Sequence, residues 1–301
     1  MNNVELVSAC GGYSERILAL NLIKQISHLC RAIQRHRGLG MSLIAGYQEF
    51  ETDFLSLQQQ VSRRMQVLEV FSKQSTNLLT DGQIEKLLAA WSIIERDWQN
   101  DSVMENFEYH SHFIEQLLQM MMTLARLLER PAASAFPDAI VSSSANVEHK
   151  RQQFNLVGLL VFVCNQLPSL VEQVAKIRGL ATLSATRGKL GGLEDSKLRY
   201  FIQNTRVQHE KVRNQSDRLL EQIKDDIRSL PLIKAYEFKL MFLINTVEKE
   251  ILEPQVITMD SRQVFNLATE IIDVYLKVVD EGLSLLQRRQ EDSLEDWFLQ
   301  G

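Results

Sequence analysis

Residues 50–71, FETDFLSLQQQVSRRMQVLEVF, set Phe50, Phe54, Leu57, Val61, Met65, Leu68 and Phe71 three or four apart. That interval returns to one face of an α-helix at each turn, so the segment predicts an amphipathic helix whose apolar stripe faces a bundle. The same period continues on both sides. Upstream, a helix is expected from about Tyr13 to Ala45, after Gly11-Gly12. Downstream, Thr80-Asp81-Gly82-Gln83 and Ser102-Val103-Met104-Glu105 have the hydroxyl and the Gln or Glu of a capping box, and so start helices 3 and 4. Helix 3 aligns Ile84, Leu87, Leu88, Trp91, Ile94 and Trp98; helix 4 aligns Phe107, Ile114, Leu117, Leu118, Met121 and Leu124.

Residues 131–145 change character, with two prolines and Ser142-Ser143-Ser144, and predict a solvated connection. Beyond it a long helix is expected from about Asn146 to Arg187, kinked or interrupted near Pro168 and ended by the glycines from Gly188 to Gly192. Leu193-Glu194-Asp195 opens helix 6 with acids where the macrodipole favours them. Pro231 suits the first turn of helix 7, Pro254 closes it, and Asp260-Ser261-Arg262-Gln263 caps helix 8, which carries Val264, Leu267, Ile271, Val274 and Val278. The expected fold is therefore all-α: two four-helix up-and-down bundles, residues 1–130 and 146–301, joined by the 131–145 linker into one unit of about eight helices.

The chain's 301 residues are 45% hydrophobic and 24% charged, which is ordinary globular composition. A net charge of -5 with both signs interspersed lacks the basic patch that direct nucleic-acid binding requires. Cys10, Cys30 and Cys164 have no paired spacing, so no disulfide framework or zinc ribbon is encoded. The start, Met1 to Ser8, lacks a basic n-region and a long apolar core, and cytoplasmic placement is expected. No charge occurs between Arg151 and Glu172, but Gln152, Gln153, Asn155, Asn165, Gln166 and Pro168 flank a short apolar centre. A buried helix is expected there rather than a membrane span, which needs about 20 apolar residues.

Two similar stretches carry the clue to function: Ile33-Gln34-Arg35-His36-Arg37-Gly38-Leu39 and Val174-Ala175-Lys176-Ile177-Arg178-Gly179-Leu180. Each has an apolar residue four before the arginine, a base two before it and Gly-Leu after it. A guanidinium inside a helix bundle is expensive to desolvate, and its planar fork matches the paired oxygens of a small oxyanion. The glycine beside it would let a helix or ligand approach closely, at about 1 kcal/mol of helix propensity. Arg37 and Arg178 are therefore candidate ligand residues, with Gly38 and Gly179 beside them.

Enzyme chemistry finds no matching pattern. A di-iron bundle needs Glu-x-x-His, whereas Glu108-Tyr109-His110, Glu148-His149 and His209-Glu210 have other offsets. His110 and His112 lie roughly 200° apart around a helix and cannot share a metal. Phosphate loops, zincin motifs and nucleophile elbows are lacking. Met120-Met121-Met122 reads as core filling, and His28, His36, His149 and His209 receive no role. No cofactor or metal is expected.

Residues 29–45, LCRAIQRHRGLGMSLIA, resemble the first conserved block of the NIT domain, the bacterial nitrate- and nitrite-sensing module, although His36 stands where that pattern has a glutamate. Residues 171–186, VEQVAKIRGLATLSAT, are similar to its second arginine-bearing block, and helix 8 is similar to its closing helix. The resemblance covers most of the chain. It implies a bacterial signal-transduction sensor that binds nitrate or nitrite through Arg37 and Arg178. It also implies a further arginine from a later helix, for which Arg206 and Arg213 qualify by position alone. A stand-alone sensor signalling to a protein partner is expected, with Trp297 and Phe298 in the acidic tail as a docking peptide or a frayed end. A homodimer is left open. The alternative is a helical interaction scaffold in which the arginines form structural salt bridges to acids such as Glu172 or Glu49.

Overall fold

The computed structural model describes residues 3–74, 78–129, 156–223 and 225–300. The expected 131–145 linker and the start of helix 5 near Asn146 lie outside them, as do the side chains of Trp297 and Phe298. The described residues form eight α-helices: α1 (Asn3–Ile44), α2 (Glu51–Gln74), α3 (Asp81–Asp97), α4 (Val103–Glu129), α5 (Leu156–Arg187), α6 (Gly192–Ile223), α7 (Leu232–Val247) and α8 (Ser261–Gln300). No strand occurs among the described residues.

Local chemistry sets the helix ends. The Gln83 N–H donates to Thr80 Oγ1 at 3.3 Å while the Thr80 N–H donates to Gln83 Oε1 at 2.9 Å, a reciprocal cap on α3. Ser102 and Glu105 do the same for α4, at 3.2 and 2.8 Å. The Asp260 carboxylate accepts the Arg262 N–H at the start of α8. Gly188 ends α5 in the left-handed region at φ 66°, where a side chain would be strained.

The interruption expected near Pro168 is a π turn at Phe162–Gln166, immediately before the proline. Proline has no N–H to donate and its ring crowds the carbonyl four residues back, and the widened turn relieves both. A second π turn, Glu248–Leu252, extends α7 to the boundary set by Pro254. The expected start of α1 at Tyr13 is corrected to Asn3, because Gly11-Gly12 lowers helix propensity without blocking a helix.

Helices α1–α4 pack as one four-helix set and α5–α8 as the other, with α1 against α4, and α5 against α6 and α8. The sets meet where α1 and α4 touch α5, and α1 touches α8. Their apolar faces join one buried cluster that includes Leu20, Ile26, Ile33, Phe113, Leu117, Leu170, Ile177 and Val278. Polar pairs run antiparallel along the α1–α8 contact: Arg16–Gln290 at 2.7 Å, Lys24–Gln287, and Arg31–Asp280 at 2.8 Å. Among the described residues α5 is the one helix long and apolar enough to cross a membrane, and 61% of its apolar window is buried inside the bundle.

Glycine has a packing role on α8. A Cβ at Gly282 would lie 2.5 Å from Val163 Cγ1 in the π turn of α5. One at Gly38 would meet nothing within 4 Å, and one at Gly179 would make ordinary contact with the Met41 sulfur at 3.5 Å. No helix approaches closely at Gly38 or Gly179; close approaches fall at Gly282, between α5 and α8, and at Gly40, where a Cβ would lie 2.9 Å from Asn106 Oδ1. Gly282→Ala is expected to destabilise the fold by about 1–3 kcal/mol through overpacking against a stiff β-branched side chain, whereas Gly38→Ala is expected to stabilise it by up to about 1 kcal/mol. Urea unfolding of both variants checks the pair, and equal effects would contradict the packing described.

Candidate functional site

Glu172 is the one buried carboxylate among the described residues, and Arg37 and Lys176 are the buried cations. All three belong to one group between α1, α4 and α5. Helical spacing places Gln34 beside Arg37 on α1, Glu172 beside Lys176 on α5, and Phe107 beside Ser111 on α4.

Arg37, 2% exposed, grips Glu172 with both terminal nitrogens: Nη1 donates to Oε1 at 2.6 Å and Nη2 to Oε2 at 3.3 Å. Nη1 also donates to Ser111 Oγ at 2.9 Å, whose hydroxyl in turn donates to the Phe107 carbonyl. The guanidinium carbon stands 5.2 Å from the centre of the Phe107 ring. Gln34 Nε2 donates to Glu172 Oε2 at 2.9 Å. Lys176 Nζ lies 3.9 Å from Glu172 and 2.8 Å from Glu115, over the Phe201 ring. A charge-assisted, two-point bridge therefore ties α1 to α5, with its remaining lone pairs satisfied.

Arg178, two residues beyond Lys176, faces α8. Its Nη1 donates to Thr269 Oγ1 at 2.9 Å and its guanidinium lies 5.1 Å from the Phe265 ring centre. Burial, and then the positive charge of Arg37, bring its pKa down to about 10, while Asp273 and Glu172 pull the other way. The two arginines thus share one electrostatic neighbourhood, and Glu172 is hydrogen-bonded to the first of them. Three cations, Arg37, Lys176 and Arg178, stand about Glu172, with Glu115 on Lys176 and Asp273 acting on Arg178 from outside the group.

Against Arg37 lies a second polar group that the sequence does not announce. His110 Nδ1 donates to the Asn106 carbonyl at 2.7 Å, which leaves its Nε2 to accept from His36 Nδ1, also at 2.7 Å. His36 stacks on Phe54 with ring centres 4.2 Å apart. Both rings are fully buried, and burial drives their pKa values down, that of His110 to about 3. His36, given no role from sequence, is therefore the partner of His110. The contact spans α1 and α4 and leaves no local signature.

The other expected residues lie elsewhere. Arg206 pairs with Glu248 at 2.7 Å, and Arg213 with Glu210 at 2.8 Å and Glu237 at 3.5 Å, so their partners stand on α6 and beyond it rather than at the Arg37–Arg178 group. Glu49 is exposed in the turn before α2. Met120 and Met121 are buried in the core. A cavity of about 400 Å³ between α4, α5 and α6 includes Ser111 and Lys176 in its wall and so borders the bridge.

No family model matches the chain, and no curated protein matches it. Among solved structures it is similar to that of the NasR transcription antiterminator, with a TM-score of 0.68 at 13% identity over 96% of this chain and 72% of that one. At that identity the likeness establishes a shared helical fold.

The buried histidines set a pH dependence. Their folded-state values lie below the ordinary 6.5, so the unfolded chain binds more protons below that point, and stability is lost as pH falls through 6.5. At about pH 5.5 His110, with its value of about 3, contributes about 1.4 kcal/mol of loss, and His36 adds a loss of the same sign. Urea unfolding at about pH 7.5 and 5.5 measures it, and His36→Phe is expected to reduce the difference. Equal stability at the two values would refute the assignment of neutral, buried rings.

Proposed function

We propose that this chain is a sensory module that binds nitrate or nitrite at Arg37 and Arg178 and answers by shifting α1 against α5, so that a protein partner receives a changed surface. The observation that carries the proposal is Arg178: part-buried and in the field of Arg37, it gives its side-chain hydrogen bond to the neutral Thr269, while Asp273 and Glu172 act on it through space. A planar, singly charged and weakly hydrated oxyanion suits such a place, because it matches the guanidinium fork and loses little on leaving water.

Glu172 gives the response its physical form. It is an internal anion already on Arg37, so a bound oxyanion competes with it for the same N–H groups. The chain then has two arrangements, bridged by Glu172 or bridged by ligand, and the ligand shifts their balance by its difference in affinity for the two. The antiterminator neighbour is a regulatory protein, which fits a sensing role. Arg206 and Arg213, in their own pairs, are not needed for this account.

A second reading rests on the bridge itself. Bidentate, buried and fully satisfied, Arg37–Glu172 also suits the scaffold alternative, in which it fixes how the two sets of helices dock. Arg37→Ala does not separate the two, since it strands Glu172 and is expected to remove about 3–5 kcal/mol of stability in either case.

Arg178→Ala does separate them. Calorimetric titration with nitrate and nitrite, with chloride and sulfate as controls, is expected to give saturable binding in the parent chain and none in this variant, which should still fold. Absence of both heat and thermal stabilisation by either anion in the parent chain would leave the scaffold.

A further inference from the structure

The cavity of about 400 Å³ beside the bridge has a chemistry of its own. Its size falls within the range of small-molecule sites. Two ion pairs cross it from α4 to the second set of helices: Glu115 with Lys176 of α5 at 2.8 Å, and Glu108 with Lys197 of α6. Lys176 is 4% exposed and is held over the Phe201 ring. Leu193 and Phe201 give an apolar wall, and Gln173 Oε1 is buried with no hydrogen-bond partner.

The two lysines and two glutamates balance in charge. A cation would draw a glutamate away and leave the buried Lys176 without its partner, which is costly, whereas an anion would free a half-exposed glutamate and leave its attraction for a cation unused. A ligand with both signs avoids this, because its carboxylate replaces a glutamate at a lysine while its ammonium meets the glutamate released. The apolar wall calls for a hydrocarbon or aromatic group between those charges and α6.

We propose that this cavity binds a free α-amino acid with an apolar or aromatic side chain. The carboxylate lies on Lys176 and Lys197, the ammonium on Glu108 and Glu115 with the Gln173 oxygen accepting a further N–H, and the side chain on Phe201 and Leu193. The site shares Lys176 with the Arg37–Glu172 group but is otherwise built from other residues, and it stands whether or not that group binds an anion. The two are in contact through Ser111, which accepts from Arg37, and through Lys176, which faces Glu172. An occupant that draws Lys176 toward itself alters the counter-charge on Glu172.

The test is calorimetric titration of the full chain with L-phenylalanine and L-leucine, together with phenethylamine and 3-phenylpropionate, which each keep one of the two charges. Saturable binding of at least one amino acid is expected, about tenfold or more weaker for both single-charge analogues. Lys197→Gln and Glu108→Gln alter the more exposed pair, and each is expected to weaken amino-acid binding about tenfold while leaving the unfolding curve and any nitrate response in place. The proposal is overturned if neither amino acid binds below about 10 mM, if an analogue binds as tightly as its parent, or if both variants bind as the parent chain does.

Discussion

Arg37 and Glu172 face each other across the seam between two sets of helices, and the rest of the interior is arranged around that contact. Desolvating both groups offsets most of their attraction, so the pair adds little net stability, but the loss of either partner is severe. Its effect is therefore on geometry. It ties α1 to α5, and the Arg31–Asp280 pair ties α1 to α8 on the next seam. Gln34 and Ser111 complete the hydrogen bonds that a bare ion pair would lack. Phe107 shields the guanidinium from water.

This constraint explains why so much polar chemistry collects in one place. Once a charge is buried at Arg37, each neighbour is chosen for how it meets that charge. The carboxylate must be present, the histidines must be neutral, and Lys176 must reach outward to Glu115 to find a second partner. Arg178 is the exception. Its guanidinium sits against an aromatic ring and a hydroxyl, with the nearest carboxylates acting at longer range.

Most of the fold was legible because its determinants are local. The stripe from Phe54 to Leu68 is buried as its spacing requires, and the hydroxyl caps at Thr80 and Ser102 close the bonds their sequences encode. The arginines were legible as a pair because their surroundings repeat. Their partners were not. Glu172 is 135 residues from Arg37, and the alternative that named it could offer Glu49 on equal terms. His36 meets His110 across 74 residues. Arg206 and Arg213 show the limit of position as a guide, since a helix points its arginines in every direction and each found a glutamate nearby. Glycines are hard to read for a related reason: the need for a missing Cβ is set by whatever stands opposite, and at Gly282 and Gly40 that is Val163 and Asn106, each far away in sequence.

At Gly282 the Val163 side chain occupies the space a Cβ would need, at the widened turn near the start of α5. The contact sets a fixed point. Glu172 lies roughly 13 Å and Arg178 roughly 22 Å farther along the same helix, so both are placed at a height measured from this one contact. The helix runs on to Arg187, where Gly188 turns the chain into α6, and the start of the next helix is thereby set from the same point.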